Sequence, residues 1–76
     1  MPDAAAKLQR QLGQIVRSER QARKFTQQKL AFEAELSLTY VGEIERGQRM
    51  VSLDTLQRVA RALDLTAAQL LAKAGI

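Results

Sequence analysis

Apolar residues recur along this chain at the three- and four-residue spacing that is typical of one face of an α-helix. A short polar residue, whose side chain can accept a free N–H of a first helical turn, precedes each such segment. The predicted N-cap residues are Asp3, Thr26, Ser37, Ser52 and Thr66, the last in a capping box with Gln69. The pattern predicts helices over about residues 4–23, 27–34, 38–46, 52–63 and 66–73. We therefore expect one all-α domain, a five-helix bundle, over residues 1–76.

The same spacing predicts which side chains form the core. The buried side of the first helix is expected to include Leu8, Leu12, Ile15 and Val16. The buried stripe of the fourth helix is expected to comprise Leu53, Leu56, Val59, Ala60 and Leu63. Gly13 costs a helix interior about 1 kcal/mol relative to Ala, so its presence indicates a place where helices pack closely.

Three further expectations concern less regular parts of the chain. Phe25 should enter the core between the first two helices. Phe32 lies off the core face of the second helix, where it is either half-buried by Phe25 or part of a second contact patch. Residues 72–76 are expected to fray.

The second and third predicted helices, within the stretch from Thr26 to Gly47, are joined by only a few residues. So short a turn forces the two helices to cross at a steep angle and to touch, and Ala31 is small where they would approach. This arrangement is a helix-turn-helix pattern, in which the second of the two helices can lie in the major groove of DNA.

The same stretch resembles the Cro/Xre-type helix-turn-helix family, which includes the phage repressors. The resemblance is carried by T-Q-x-x-L-A from Thr26, S-x-x-Y-V-x-x-I-E-R-G from Ser37 and S-L-D-T-L from Ser52. It covers about residues 12–71 and implies a lambda-repressor-like fold. The run V-G-E-I-E-R-G-Q-R-M-V-S-L also resembles the controller-protein branch that is found with restriction–modification systems.

The sequence departs from the family pattern at Lys24 and Glu35, where relatives usually have Gly, and at Met50-Val51, where they often have Asn-Pro. A left-handed backbone at a non-Gly residue costs on the order of 1–2 kcal/mol. Either Glu35 bears that strain or the turn differs slightly from the family form.

Base contacts are expected from the outward face of the third helix, at Leu38, Thr39, Gly42 and Glu43. Thr39 can offer a hydroxyl to a base or pack its methyl on thymine, and Leu38 can make only apolar contact. Glu43 is an acceptor that suits the amino groups of cytosine or adenine. Gly42 is expected to let the backbone approach the DNA.

Phosphate contacts are expected from Gln27, Tyr40, Arg46 and Arg49. The N-terminus of the second helix presents free N–H groups, and the resemblance implies that Gln27 holds a backbone phosphate there. Tyr40 could donate its hydroxyl to a phosphate, or it could half-cover the core instead. Arg46 and Arg49 flank the third helix.

Glu45 follows Val41 by four residues and therefore points inward, where an unpaired carboxylate would be expensive. An arginine suits it through a two-pronged pairing of guanidinium with carboxylate. The resemblance implies that Arg20 of the first helix is that partner. We expect an architectural Arg20–Glu45 salt bridge between the first and third helices.

Helix-turn-helix proteins of this size usually read two half-sites as symmetric dimers. The expected dimer interface comprises Leu65, Ala67, Ala68 and Leu71. Small alanines would permit close approach across a two-fold axis. Leu65 and Leu71 can also be interpreted as core residues of the monomer.

Composition narrows the function classes. Twelve basic and eight acidic residues give a net charge of +4, a mild and nonspecific attraction for polyanions. The absence of Cys and His excludes disulfides, thiolate metal sites and the commonest acid/base group at neutral pH. We expect no enzymatic activity, metal, cofactor or small-molecule ligand. Without a signal-peptide or membrane-spanning run, the expected location is cytoplasmic.

The predicted function is a sequence-specific transcriptional regulator that binds double-stranded DNA as a homodimer. Residues 38–46 would occupy the major groove of a short palindromic operator. Repression and activation both stay open, because the outcome depends on where the operator lies. The alternative is an antitoxin-like or other protein-interaction module that uses the same domain. A basic membrane-surface helix is disfavoured, since the first helix carries Glu19 and its apolar side is needed by the core.

Overall fold

The computed structural model describes residues 3–76, which contain five α-helices and no strand. The helices are α1 (Ala4–Ala22), α2 (Gln27–Ala34), α3 (Leu38–Glu45), α4 (Leu53–Ala62) and α5 (Ala67–Lys73). The all-α class predicted from the sequence is confirmed, and each bound lies within one residue of its prediction. None of the helices in the described range is long and apolar enough to span a membrane.

Every helix begins after a residue whose side chain accepts a free backbone N–H. Asp3 accepts from Ala5 at 3.0 Å. The hydroxyls of Thr26, Ser37 and Ser52 each accept from the residue three positions on, at 3.0–3.1 Å. The N-terminus of α5 is a complete capping box, in which Thr66 and Gln69 cap each other's backbone N–H at 3.0 and 2.9 Å. The predicted N-caps are therefore confirmed.

Three of the turns that follow helices place a non-Gly residue in the left-handed region, at Lys24, Glu35 and Asp64 with φ of 58°, 57° and 60°. After α2, the N–H of Leu36 donates to the carbonyl of Ala31 at 2.9 Å, which closes the end of the helix. The chain thus keeps the family form of this turn and bears the strain at Glu35. Asp64 was not anticipated, although Asp is one of the few non-Gly residues that often adopt this region.

Replacing Glu35 by Gly should relieve this strain and raise the free energy of unfolding by about 0.5–1 kcal/mol, the steric gain being partly offset by the greater freedom of glycine in the unfolded chain. Urea denaturation followed by circular dichroism would measure the change. The matched control is Glu33→Gly, which places glycine inside α2 with ordinary helical geometry and should lower stability by about 1 kcal/mol. Equal effects of the two substitutions would contradict the assignment of strain to Glu35.

The core lies where α1 packs on α3 and α2 packs on α4, with α5 closing one end against α1 and α4. Its fully buried large side chains are Val16, Leu30, Val41, Leu63 and Leu70. At the crossing of α1 and α3, a Cβ on Gly13 would lie 2.3 Å from the carbonyl oxygen of Ile44. The close packing predicted at Gly13 is therefore present, and it fixes the distance between α1 and the third helix.

Four aromatic and aliphatic side chains depart from the expected burial. Leu8, expected on the buried side of α1, is 39% exposed. Leu53 is 84% exposed, since no neighbouring helix covers the first turn of α4. Phe25 is half-buried and does not enter the core as expected, and the Lys29 ammonium lies 5.9 Å from its ring centroid. Phe32 is 79% exposed, so the expectation that Phe25 half-buries it is wrong.

The C-terminal residues also differ from expectation. Helix α5 extends to Lys73, and the N–H groups of Gly75 and Ile76 donate to the carbonyls of Ala72 and Leu71 at 3.1 and 3.0 Å. The Gln11 side chain also reaches the Ala74 carbonyl at 3.5 Å. The structure therefore shows a closed end of α5 in place of the expected frayed one, and a left-handed Gly75 makes these backbone bonds possible.

Candidate nucleic-acid interface

Helix α3 is held against the core along one side and is open to solvent along the other. Val41, Ile44 and Glu45 are buried, whereas Leu38, Thr39 and Arg46 are exposed. Glu43 is half-buried on the same outer side. This exposed face could enter a groove of DNA without any rearrangement of the core.

Gly42 corrects one expectation about this face. It is buried, because the guanidinium of Arg46 lies across it, and a Cβ on Gly42 would be 3.0 Å from Arg46 Nη1. The backbone of Gly42 is therefore not free to approach a base, as had been expected from the lack of a side chain. The same lack of a side chain provides the space that Arg46 fills.

A cluster of three side chains lies at the flank of α3. Arg49, in the loop after α3, has its Nε 3.4 Å from Glu43 Oε1. Its guanidinium carbon lies 5.2 Å from the centroid of the Tyr40 ring, within the range of a cation–π interaction. Tyr40 is half-buried and packs on the core, in agreement with the second of its two interpretations. Arg49 offsets the charge of Glu43, which reduces its repulsion of a nearby phosphate.

Glu45 is the centre of a buried network that joins α1, α2 and α3. Arg20 Nε donates to Glu45 Oε2 at 2.7 Å and Arg20 Nη2 donates to Oε1 at 3.0 Å, the two-pronged geometry expected for this pair. Arg20 Nη1 also donates to the Phe25 carbonyl at 2.8 Å. The side chain of Glu45 is 3% exposed and that of Arg20 is 12% exposed, so the bridge is sheltered from water.

Gln27, the first residue of α2, belongs to the same network. Its Nε2 donates to Glu45 Oε1 at 3.1 Å, which fixes the amide beside α3. The side chain is half-buried, and a second N–H of the same amide remains for another acceptor. Sequence reasoning placed Gln27 at a phosphate but missed its bond to Glu45, because residues 18 positions apart carry no local signal for such a contact.

The residues expected at a dimer interface lie around α5. Leu65, Ala67 and Leu71 are half-buried against the core of the same chain, and Ala68 is exposed. At Leu71 the surface also carries an apolar groove, whose lining includes Leu8, Met50, Leu53, Leu71 and Ile76. Sequence reasoning missed most of this groove, since the helical spacing of Leu8 and Leu53 also fits a position in the core.

No group of three or more acidic side chains that could hold a metal ion occurs among residues 3–76. Within that range every buried side-chain nitrogen and oxygen has a hydrogen-bond partner.

Residues 16–70 match the helix-turn-helix family. The control protein C.BamHI of Bacillus amyloliquefaciens is 45% identical over 60 residues, which cover 78% of this chain and 74% of that protein. The crystal structure of the restriction-modification controller protein C.AhdI from Aeromonas hydrophila has a TM-score of 0.79 at 42% identity, covering 82% of this chain and 94% of that one.

A further solved structure is that of the controller protein C.Esp1396I, a tetramer in complex with its natural 35-base-pair operator. It matches 88% of this chain and 92% of its own with a TM-score of 0.78, but at 24% identity it demonstrates a shared fold alone. The family match over residues 16–70 and the identities of 45% to C.BamHI and 42% to C.AhdI are high enough to assign this chain to a family. The chain belongs to the Cro/Xre-type helix-turn-helix family, in the branch that includes the restriction–modification controller proteins.

Proposed function

We propose that this protein is a sequence-specific transcriptional regulator that binds a short palindromic operator as a homodimer, with α3 in the major groove. The observation that carries the proposal is the exposed outer face of α3, held rigidly by the buried Arg20–Glu45 bridge. Preorganised recognition elements lose little conformational entropy on binding. We also propose that the protein acts in the cytoplasm, as a binding protein and not as an enzyme.

The proposed contacts follow from the placement of each side chain. Thr39 and Leu38 lie at the start of α3, the part of a recognition helix that meets base edges, and Glu43 lies one turn further on. Gln27 is fixed at the N-terminus of α2, where its amide and the free N–H groups can hold a phosphate. Arg49, in the loop after α3, and the Tyr40 hydroxyl, on α3 itself, are proposed as further phosphate ligands. The match to the helix-turn-helix family and the 45% identity to the control protein C.BamHI support DNA as the ligand. The operator complex of C.Esp1396I is an example of DNA held by the same fold.

Selection from a pool of random duplexes, followed by titration of the enriched duplex at several salt concentrations, would test the function. Tyr40 is the single tyrosine in a chain without tryptophan, so its emission would report directly on α3. We expect a palindromic consensus and an affinity that falls linearly with salt on logarithmic axes. A pool that yields no enriched sequence would contradict the proposal.

Arg49→Gln should flatten the salt dependence by about 0.9 in log–log slope, the amount expected for one lost phosphate contact by a cation. Lys73→Gln is its charge-matched control, since α5 packs on α1 and α4. It removes the same charge at a position away from the proposed DNA contacts and should leave the slope of affinity against salt unchanged. Equal slopes for both variants would remove Arg49 from the phosphate contacts.

We propose a second copy of the chain as the occupant of the apolar groove. The groove is continuous with Leu71 and adjoins Ala67, two of the residues proposed for the interface from the sequence, and an isologous contact would cover the groove on both copies. The exposed Leu53 and Met50 at its edge would otherwise remain in water. Small domains gain buried surface by such association.

Leu53→Ser should weaken the dimer by about 100-fold, because an isologous interface loses the side chain twice and each buried leucine contributes at least about 1.5 kcal/mol. Sedimentation equilibrium would measure the dissociation constant. Phe32→Ser is the control, since Phe32 is about as exposed as Leu53 but lies on α2. A dimer weakened by Phe32→Ser and unaffected by Leu53→Ser would place the interface on α2 instead.

A further inference from the structure

The guanidinium of Arg46 does not lie at the end of α3, where the residue stands in the sequence. Arg46 is the C-cap residue of α3, yet its guanidinium lies over Gly42, one turn closer to the N-terminus of the helix. Arg46 Nη1 is 3.0 Å, and Cζ and Nη2 are 3.7 Å, from the point that a Cβ on Gly42 would occupy. The charge is thereby moved by about 5 Å along the helix, from its end to the middle of its outer face.

The guanidinium is also held in one orientation. Arg46 Nε donates to Gln48 Oε1 at 3.1 Å, so the edge that carries Nη1 and Nη2 is turned to the other side. Among the described residues, Arg46 forms no ion pair, whereas Arg20 and Arg49 are both engaged by carboxylates. Arg46 and Arg49 each make their one polar contact through Nε, but Arg46 is the one whose guanidinium lies over the backbone of α3 itself, with its terminal N–H groups available to donate.

Two parallel N–H donors match the O6 and N7 acceptors of guanine in the major groove, and this pairing is the commonest specific contact between an arginine and a base. A phosphate can accept the same two donors, but phosphates flank the groove, whereas the outer face of a helix that lies in the groove meets base edges. We infer that Arg46, seated on Gly42, reads a guanine edge and determines specificity at one base pair. This inference rests on the proposed function and replaces the phosphate role expected for Arg46 from the sequence.

The test compares Arg46→Lys, Arg46→Ala and Gly42→Ala with the wild type. Each protein would be titrated with the enriched duplex and with duplexes in which single base pairs are changed, at several salt concentrations. Arg46→Lys keeps the positive charge but not the paired donors. It should keep most of the salt slope while losing about 5- to 100-fold of discrimination at one G·C pair.

Gly42→Ala separates the position of the guanidinium from its charge. The added Cβ meets the flexible end of the Arg46 side chain and no backbone atom, so the protein should fold with an unchanged or higher melting temperature. Discrimination should nevertheless fall at the same G·C pair that Arg46→Lys affects, and Arg46→Ala should abolish it there.

Three outcomes distinguish this inference from the proposed function. Loss of discrimination at one shared G·C pair would support the guanine contact. A wild type that prefers one duplex, together with Arg46 variants that weaken all duplexes equally, would overturn the inference and leave the proposed function standing. A wild type that prefers no duplex would overturn both.

Discussion

Gly13→Ala should lower the free energy of unfolding by about 2–3 kcal/mol, even though alanine is the better helix former by about 1 kcal/mol. The new Cβ would lie 2.3 Å from the carbonyl oxygen of Ile44 and 3.0 Å from that of Glu45. Both are backbone atoms of α3 and cannot rotate away, so α1 and α3 must separate. That separation would also stretch the Arg20–Glu45 bridge, which joins the same two helices.

Urea denaturation monitored by circular dichroism would measure this loss. Gly42→Ala is the matched control, because it places the same methyl group inside another helix, where it meets only the end of the Arg46 side chain. The two glycines have the same helix propensity, so any difference of sign between the variants must come from tertiary packing. An increase in stability for both would show that α1 and α3 are not in close contact at Gly13.

Glu45→Ala should lower the free energy of unfolding by about 3–5 kcal/mol. That is a large part of the roughly 5–15 kcal/mol by which an ordinary domain is stable. The substitution removes the acceptor of three hydrogen bonds, two from Arg20 and one from Gln27. The guanidinium would then stay buried with only the Phe25 carbonyl as its partner. We expect a protein that is largely unfolded at low urea concentration, or one that folds only when the charge of Arg20 is removed as well.

Two further variants test whether the loss of stability comes from leaving a buried charge unpaired. Glu33→Ala removes a carboxylate whose partner Lys29 lies 2.8 Å away in an exposed pair, and it should change stability by no more than about 0.5 kcal/mol. The double variant Arg20→Met with Glu45→Leu should be more stable than Glu45→Ala, since it leaves no buried charge unpaired. Melting temperatures that are equal for Glu45→Ala, Glu33→Ala and the wild type would refute the architectural role of the bridge.

The turn between α2 and α3 shows which features could be predicted from residues that are close together in the sequence. The caps at Thr26 and Ser37 were predictable, because a hydroxyl and the N–H that it caps lie three residues apart. The left-handed residue at Glu35 was foreseen as one of two possibilities, and the structure shows that the strain is borne. Each of these features depends on atoms that are close in the chain, whatever the rest of the molecule does.

Leu53 illustrates where periodicity stops being informative. It lies three residues before Leu56, so the two leucines belong to the same face of α4, yet Leu56 is buried and Leu53 is 84% exposed. Helical spacing defines the direction in which a side chain points but not how far the neighbouring element extends. For the same reason, helical spacing could not predict the apolar groove that Leu53 borders.

By itself, the sequence determined the five helices, their caps and the family to which the chain belongs, because hydrogen bonds within one turn and apolar spacing are local properties. Only the tertiary structure decided that Gln27 bonds to Glu45, that Gly13 allows α1 and α3 to touch, and which apolar side chains stay exposed. These outcomes depend on the distances between whole helices. The position of the Arg46 guanidinium over Gly42 also became known only from the structure, although the two residues are only four positions apart. An exposed arginine can adopt several rotamers, and the hydrogen bond to Gln48 favours one of them.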